Sequence, residues 1–388
     1  MIPLMKSTFL YEFETKQALA EFIIKTNKFS MGPQCEQFEQ AFCAYQDCQE
    51  AVLFNSGGSA NLALLQALKN LGRLKTGDHI GFSALTWSTN VMPILQMGLV
   101  PVAIDVSCET LNVMSEQVEE CLKNQSIKAL FLTNVLGFLG DLDRIKRLCD
   151  EAGVLLLEDN CESLGSEVGG VKSGNFGLGA TFSFFVAHHM STIEGGMCVT
   201  SDKELAEMLR IVRANGWDRN LTAEQQIKWR AKYGISSEFE AKYTFYDLGF
   251  NLRPTEITGF LGQIQLQYLP ENVRTREAYL LRLEEQIQKN SDLLLLKHDH
   301  MNVCSAFAFP VVCRTPELRK KYLDQFSGAG IELRPLIAGN MQRQPFYKKY
   351  VEAQQSLPNT EFLHQSAFYC GNYPELSPTD LETITSCL

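Results

Sequence analysis

Two adjacent histidines, His188 and His189, stand in the stretch SFFVAHHMSTIEGGM (183–197), and no lysine occurs between Lys172 and Lys203. An imidazole moves protons near neutrality but cannot condense with a carbonyl as an ε-amine does, so the chemistry open to this stretch is proton transfer. In NSGGSANLALLQAL (55–68), the backbone amides of Gly57 and Gly58 open an amphipathic helix and could cradle a phosphate at its positive end; an ordinary capped helix explains the segment equally well. In LLLEDNCESLGS (155–166), Asp159 ends a buried strand, where a carboxylate needs a cationic partner such as a protonated pyridine nitrogen. Glu162 follows three residues on; helix capping is the ordinary explanation for either acid. Trp87, in SALTWSTN, is either a ring that stacks on a ligand or a core tryptophan.

These residues need strand ends to hold them. From about 50 to 200 the sequence alternates short β-branched runs with helical segments, the mark of a parallel sheet covered on both faces. The strands expected are 51–54, 79–82, 100–106, 128–135, 154–159, 180–185 and 197–201. Ligands on such sheets sit at the carboxyl ends of the strands. In DLDRIKRLCDEAG (141–153), Asp141 is expected to cap a helix that Gly153 stops. Residues 255–290 read as a long helical connector and 291–388 as a smaller α/β unit with a strand in 305–312, giving two units, 1–260 and 261–388. The polar stretch 222–243 reads as an excursion over the site or as a solvated surface loop.

At 388 residues and 45% hydrophobic content the chain can bury a large core, and its net charge of −10 argues against a nucleic-acid surface. No run of about 18 apolar residues is present, so no membrane span is expected and the cytoplasm is the expected location. Twelve scattered cysteines, with no C-x-C or C-x-x-C, read as packed thiols in a reducing compartment.

The order glycine pair, Trp87, Asp159, Glu162, Ser183, His188, EGG resembles the DegT/DnrJ/EryC1/StrS sugar aminotransferase family, whose motif SF-x-x-x-K carries a Schiff-base lysine where this chain has His188. The likeness runs from FSMGPQCEQFEQAF (29–42) to IELRPLIAGNMQRQPFY (331–347). It implies a fold of the aspartate aminotransferase type (fold type I): a large domain with a mostly parallel seven-stranded sheet and a smaller C-terminal domain. It implies pyridoxal or pyridoxamine 5′-phosphate held without a covalent lysine link, with Gly57 and Gly58 at the phosphate, Trp87 over the ring, Asp159 at the ring nitrogen, Glu162 near the 3-hydroxyl and Ser183 on the phosphate. Asn251 and Arg253, in YDLGFNLRPTE (246–256), would reach across a homodimer interface into the neighbouring site.

The histidine in place of lysine is similar to the family's nucleotide-sugar 3-dehydratase branch. One subtype carries a [2Fe-2S] cluster and acts on a CDP-4-keto-6-deoxyglucose; another lacks it and acts on a GDP-4-keto-6-deoxymannose. LRPLIAGNMQRQP (333–345) is like the first, yet no cysteine follows Gly216–Trp217 until Cys304, so no cluster is expected. Asn215 stands where the cluster-free pattern has histidine, which leaves the substrate open. Asn215, Arg219, Arg253 and Arg334 are candidates for substrate contact; surface ion pairing accounts equally well for Arg219 and Arg334.

The activity implied is loss of the C3 hydroxyl from a nucleotide-linked 4-keto-6-deoxyhexose. His188 would take a proton from the cofactor and hand one to the departing oxygen, while glutamate recharges the cofactor. His189 is expected to pack or hydrogen-bond. The alternatives are a sugar aminotransferase with a borrowed base and a non-catalytic ligand-sensing homologue.

Overall fold

The computed structural model describes residues 1–388. Every apolar run expected to be a strand is one: β1 (Glu50–Phe54), β2 (His79–Ser83), β3 (Val100–Ile104), β4 (Ala129–Thr133), β5 (Leu155–Asp159), then Gly179–Ser183 and Gly196–Thr200. They form one sheet in the order β1, Gly196–Thr200, Gly179–Ser183, β5, β4, β2, β3. Gly196–Thr200 runs antiparallel to both its neighbours, and the other pairings are parallel. Because both faces are covered, alternate side chains enter different cores: Val52 and Phe54 pack on one face, Ala51 and Leu53 on the other.

Four helices matter for the site: α1 (Glu12–Lys25), α2 (Pro33–Gln46), α3 (Gly57–Asn70) and α4 (Ser88–Gln96). Helix α3 follows β1 and α4 follows β2, so both begin at the carboxyl edge of the sheet. The buried guanidinium of Arg213 holds Glu39 of α2 at 2.6 Å and the Leu53 carbonyl of β1 at 2.7 Å. One ion pair thus fastens α2, β1 and the helix Lys203–Arg213 together.

The expected connector is the helix Glu256–Ile287, capped by Thr255. The division expected at 260/261 falls within its first turns. Its start packs so closely on α2 that a Cβ on Gly262 would strike the Phe38 ring, and its far end, at Leu280, Leu283 and Ile287, joins the core of the C-terminal unit. That unit has an antiparallel sheet of Ala308–Val312, Ala367–Gly371 and Leu333–Pro335. The chain start joins it: Ile2 donates to the Gly330 carbonyl at 2.7 Å and accepts from Glu332 N–H at 2.9 Å.

Asp141 does not cap its helix. Its carboxylate is taken by the N–H and hydroxyl of Ser115, at 2.8 and 2.5 Å, while Gly153 stops the helix in the left-handed conformation as expected. Residues 222–243 hold two helices, Ala223–Lys232 and Glu238–Ala241, the first seated through Trp229 on the core of the large sheet. No helix is long and apolar enough to cross a membrane.

Candidate active site

Ser56 caps α3 by accepting the Ser59 N–H at 3.1 Å, which leaves the N–H groups of Gly57 and Gly58 pointing off the helix start with no partner in the chain. Glycine is required here by close approach. A Cβ on Gly57 would lie 2.6 Å from Ser183 Cβ, and one on Gly196 would run into the Ser56 carbonyl. The second glycine of EGG therefore lets a strand lie against the turn that offers the amides. Ser183, at the end of its strand, adds a hydroxyl beside the same turn. Two free amides, a helix start and a hydroxyl make a cradle for a phosphate dianion.

Two acids adjacent in sequence have opposite fates at the end of β5. Glu158, on one face, accepts the N–H groups of Gly174, Phe176 and Gly177 at 2.8 to 2.9 Å and is closed off as a structural residue. Asp159, on the other, is 3% exposed; its Oδ2 accepts from the amides of Asn61 on α3 and Asn90 on α4, both at 2.8 Å, and its Oδ1 from Cys161 N–H at 2.9 Å. A cation was the partner expected for this carboxylate. Within the chain three neutral donors hold the carboxylate instead, in an orientation from which it can still receive a charged N–H. Thr181 fixes Asn61 by donating to its Oδ1 at 2.5 Å.

Trp87 is the residue before α4, one turn ahead of Asn90, and its side chain is 56% exposed rather than in the core. An indole left open at the carboxyl edge of the sheet, where the strand rings Phe54, Phe82, Phe131 and Phe182 are all buried, offers a stacking face. Glu162 caps no helix. It accepts the Leu136 N–H at 2.9 Å, and burial together with the Asp159 charge pushes its carboxyl up to about 8. At neutral pH it carries a proton that it can donate to a phenolic oxygen.

His188 and His189 face different surroundings. His189 is buried, with Nε2 2.8 Å from the Ser305 carbonyl, and Asn272 donates to its own carbonyl at 2.6 Å. His188 is wedged between the rings of Phe185 and Phe307, centroids 6.2 and 5.2 Å away and both edge-on. Its Nδ1 is enclosed without a protein partner and its Nε2 lies on the open side, also unbonded. Burial, with the Arg276 guanidinium, lowers its imidazole to about 4, so it is neutral at pH 7 and able to accept a proton.

Exposed Asn251, Arg253 and Arg219, with half-buried Asn215, form a second group. Asn251 accepts Arg253 Nε at 3.0 Å, Arg219 lies 3.9 Å over the Trp217 ring, and Arg253 lies 5.9 Å from the same ring. Asn215 takes φ of 59° and donates to the Phe250 carbonyl at 2.7 Å, aligning the two segments. The Leu252 carbonyl accepts Asn55 N–H at 3.1 Å, two residues ahead of Gly57. Arg334 lies apart, exposed on the small sheet and paired to Glu332 at 2.7 Å. Its strand neighbour Tyr369 is close enough to Glu162 to feel that charge.

Sequence reasoning missed Asn61, Asn90 and Arg276. For the two asparagines the only local signal was an amide placed on the buried side of a largely apolar helix, and for Arg276 there was none. No cluster of three or more His, Cys, Asp or Glu side chains is assembled that could hold a metal.

A phosphate cradle, a carboxylate at the end of the central strand, an open indole and a protonated glutamate at the carboxyl edge of this seven-stranded sheet define a pyridoxal-phosphate enzyme of fold type I. The family model described as "DegT/DnrJ/EryC1/StrS aminotransferase family" matches residues 11–388, and the chain belongs to that family. It is 33% identical over 368 residues to the GDP-4-keto-6-deoxy-D-mannose 3-dehydratase of Escherichia coli O55:H7, covering 90% of each chain. Among solved structures it is similar to GDP-4-keto-6-deoxymannose-3-dehydratase with a trapped PLP-glutamate geminal diamine, at TM-score 0.92, 30% identity and full coverage of both chains. A histidine-to-asparagine variant of that enzyme with bound GDP-perosamine gives TM-score 0.91 at 30% identity, again with full coverage of both.

Proposed function

We propose that the chain is a 3-dehydratase of a GDP-linked 4-keto-6-deoxyhexose, using pyridoxamine 5′-phosphate held without a lysine and recharged by glutamate. The observation that carries this reading is His188: a neutral imidazole with Nε2 open to the site, five residues after Ser183, in a stretch with no lysine from 173 to 202.

The residues present fit the cofactor. Gly57, Gly58 and Ser183 would hold its phosphate, Trp87 its ring face, Asp159 its ring nitrogen and Glu162 its 3-oxygen. When bound, it supplies an amine for the sugar's 4-ketone and a ring that takes up electrons, which loosens the C3 hydroxyl. His188 Nε2 accepts a proton as that electron flow begins. Once charged, a half-buried imidazolium beside Arg276 gives up its proton readily, and it returns the proton to the departing oxygen, which leaves as water. A lysine would instead favour proton delivery at C4 and completion of amino transfer.

A GDP-linked sugar is supported by the likeness to enzymes named for GDP-sugars. Asn215, Arg219 and Arg253 are proposed to meet its diphosphate or sugar, with Asn251 and Arg253 serving the site of a second copy in a homodimer. Tyr243, Phe245 and Leu248, in one loop beside that group, are 72, 57 and 70% exposed, an apolar surface of the kind a partner covers. Arg334 stays a weaker candidate, since Glu332 already pairs with it. The reading keeps two units, 1–260 and 261–388, and places the protein in the cytoplasm, where its twelve unpaired cysteines stay reduced.

The test incubates purified protein with pyridoxal phosphate, glutamate and a panel of GDP-, CDP- and dTDP-linked 4-keto-6-deoxyhexoses. Release of ammonia with a product lighter by one oxygen atom, for the GDP-linked member, is the expected result. A 4-amino sugar from any member would instead make the chain an aminotransferase.

A further inference from the structure

The turn that carries the chain from α2 into β1 brings two half-buried cysteines together, Cys43 in the last turn of the helix and Cys48 two residues beyond its end. Asp47 takes φ of 58°, which reverses the chain, and the N–H groups of Asp47 and Cys48 both donate to the Cys43 carbonyl, the latter at 3.2 Å. In a helix end of this form, the two residues joined by the wider hydrogen bond turn their side chains toward each other. The same bond holds the two Cα atoms near the spacing that a disulfide spans, roughly 4.4–6.8 Å.

The two sulfurs differ in what they can do. Of all its neighbours, Cys48 acts most strongly on the Cys43 thiol and holds it below the ordinary thiol value; Cys43 in turn acts most strongly on Cys48 and pushes it up, with burial adding to the rise. Every other cysteine of the chain is pushed up, chiefly by burial. Cys43 is therefore the sulfur most easily turned into a thiolate, the form that reacts with oxidants. It lines a groove of about 660 Å³ between α2 and the helix Lys203–Arg213, which gives a small oxidant access. Arg210 in that groove favours the thiolate; Glu39 and Glu50 oppose it, and Glu50 is held by Arg210 at 2.9 Å.

We propose that Cys43 and Cys48 are a reversible redox pair, oxidised by a peroxide to an intramolecular disulfide, with Cys43 as the attacking sulfur and Cys48 as the resolving one. The Cys43 thiolate attacks one peroxide oxygen, the O–O bond breaks, and the departing hydroxide takes up a proton as water, leaving Cys43 a sulfenic acid. Cys48 then loses its proton and attacks the Cys43 sulfur. The S–O bond breaks, a second water leaves, and the S–S bond forms, so that two thiols have given up two electrons and two protons to one peroxide. The ring closed is six residues long and follows a turn the chain already makes. Exchange with the thiols of a reducing compartment opens it again. Without Cys48 the sulfenic acid has no thiol beside it and takes up further oxygen. None of this depends on the reading of His188.

Reduced holoenzyme carrying pyridoxal phosphate is exposed to hydrogen peroxide, unfolded, alkylated and cleaved after glutamate, which releases residues 40–50 with Cys43 and Cys48 as their only cysteines. The fragment should be unalkylated and lighter by two hydrogen atoms, and dithiothreitol should restore both thiols. In Cys48→Ser, Cys43 should instead gain oxygen atoms that dithiothreitol does not remove. In Cys43→Ser, oxidation of Cys48 should be slower than that of Cys43 in the unsubstituted chain by at least about tenfold. Two alkylated thiols in the fragment after peroxide, or disulfides from either cysteine to other positions, would overturn the pair, and the unsubstituted chain decides this whether or not the variants fold. Equal oxidation rates at the two sulfurs would overturn the roles assigned to them.

Discussion

His189 Nε2 lies 2.8 Å from the Ser305 carbonyl, and this one hydrogen bond assigns the two histidines different work. A carbonyl only accepts, so His189 carries its proton on Nε2 and the ring is locked as a strut between the His188 loop and the chain leading into Ala308–Val312. Its neighbour is free at Nε2. Substitution of His188 by Asn, which keeps the bulk and removes the base, should lower turnover by about 10²–10⁴-fold while the melting temperature stays within a few degrees. His189→Leu should show the reverse emphasis, a clear drop in melting temperature from the unpaired Ser305 carbonyl. Turnover and thermal melts on the two variants decide it.

The pH dependence of cofactor retention should follow Glu162. Its carboxyl is raised to about 8, chiefly by burial and also by Asp159, so it is protonated at pH 7 and loses that proton above about 8. A deprotonated Glu162 would face the cofactor's 3-oxygen as a second negative group. Affinity for pyridoxal phosphate, measured by fluorescence titration from pH 6 to 9.5, should therefore fall at the alkaline end. Glu162→Gln should abolish that fall while leaving the affinity at pH 7 within a few-fold.

The stability of the protein should carry the opposite mark of His188. Its folded value, about 4, lies below the unfolded value of about 6.5, so the unfolded chain binds a proton that the folded chain does not. Stability thus declines as pH falls through about 6.5 toward 4, and flattens below. His188→Asn should remove part of that slope. Urea unfolding at pH 7, 5.5 and 4.5 measures it, and an identical slope in both proteins would place the acid sensitivity elsewhere.

The seven strands were legible because a sheet buried on both faces needs apolar residues at every position, and such runs stand out between helical segments. The site residues His188, Asp159 and Ser183 were legible because they lie within a few residues of a strand end. What the sequence hid was pairing across distance. Asn61 and Asn90 meet Asp159 from 98 and 69 positions away, and nothing in either helix names that partner. Asp141 was misread for a related reason: its position at a helix start is right for a cap, yet Ser115, 26 residues earlier, takes the carboxylate first.

The amide clamp on Asp159 should be worth measurable stability before any cofactor is added. Asn90→Leu deletes one of two donors to a buried oxygen and places an apolar side chain against it. The cost expected is about 1–3 kcal/mol, visible as a lower urea midpoint in the cofactor-free protein. Asn61→Leu should cost more, because it also takes from Thr181 its short acceptor, leaving only the Glu158 carbonyl at 3.5 Å. If neither variant shifts the midpoint, the clamp is not holding the carboxylate.

The ion pair between Arg213 and Glu39 gives the largest stability effect expected, and it separates fold from site. Both side chains are buried, and Glu39 Oε1 also accepts the Leu53 N–H at 2.7 Å. Glu39→Ala would leave a guanidinium without its counter-charge in the core and a strand amide without its acceptor, at a cost of about 3–5 kcal/mol. Replacing both residues, Glu39→Leu with Arg213→Met, removes the stranded charge and should recover that part of the loss, while the Leu53 N–H and carbonyl stay without their side-chain partners. Because β1 leads directly into Gly57, the single variant should also loosen phosphate binding, and the double variant should recover it in step with the fold. A double variant that melts at the wild-type temperature but cannot retain pyridoxal phosphate would show that Arg213 positions the cradle in its own right.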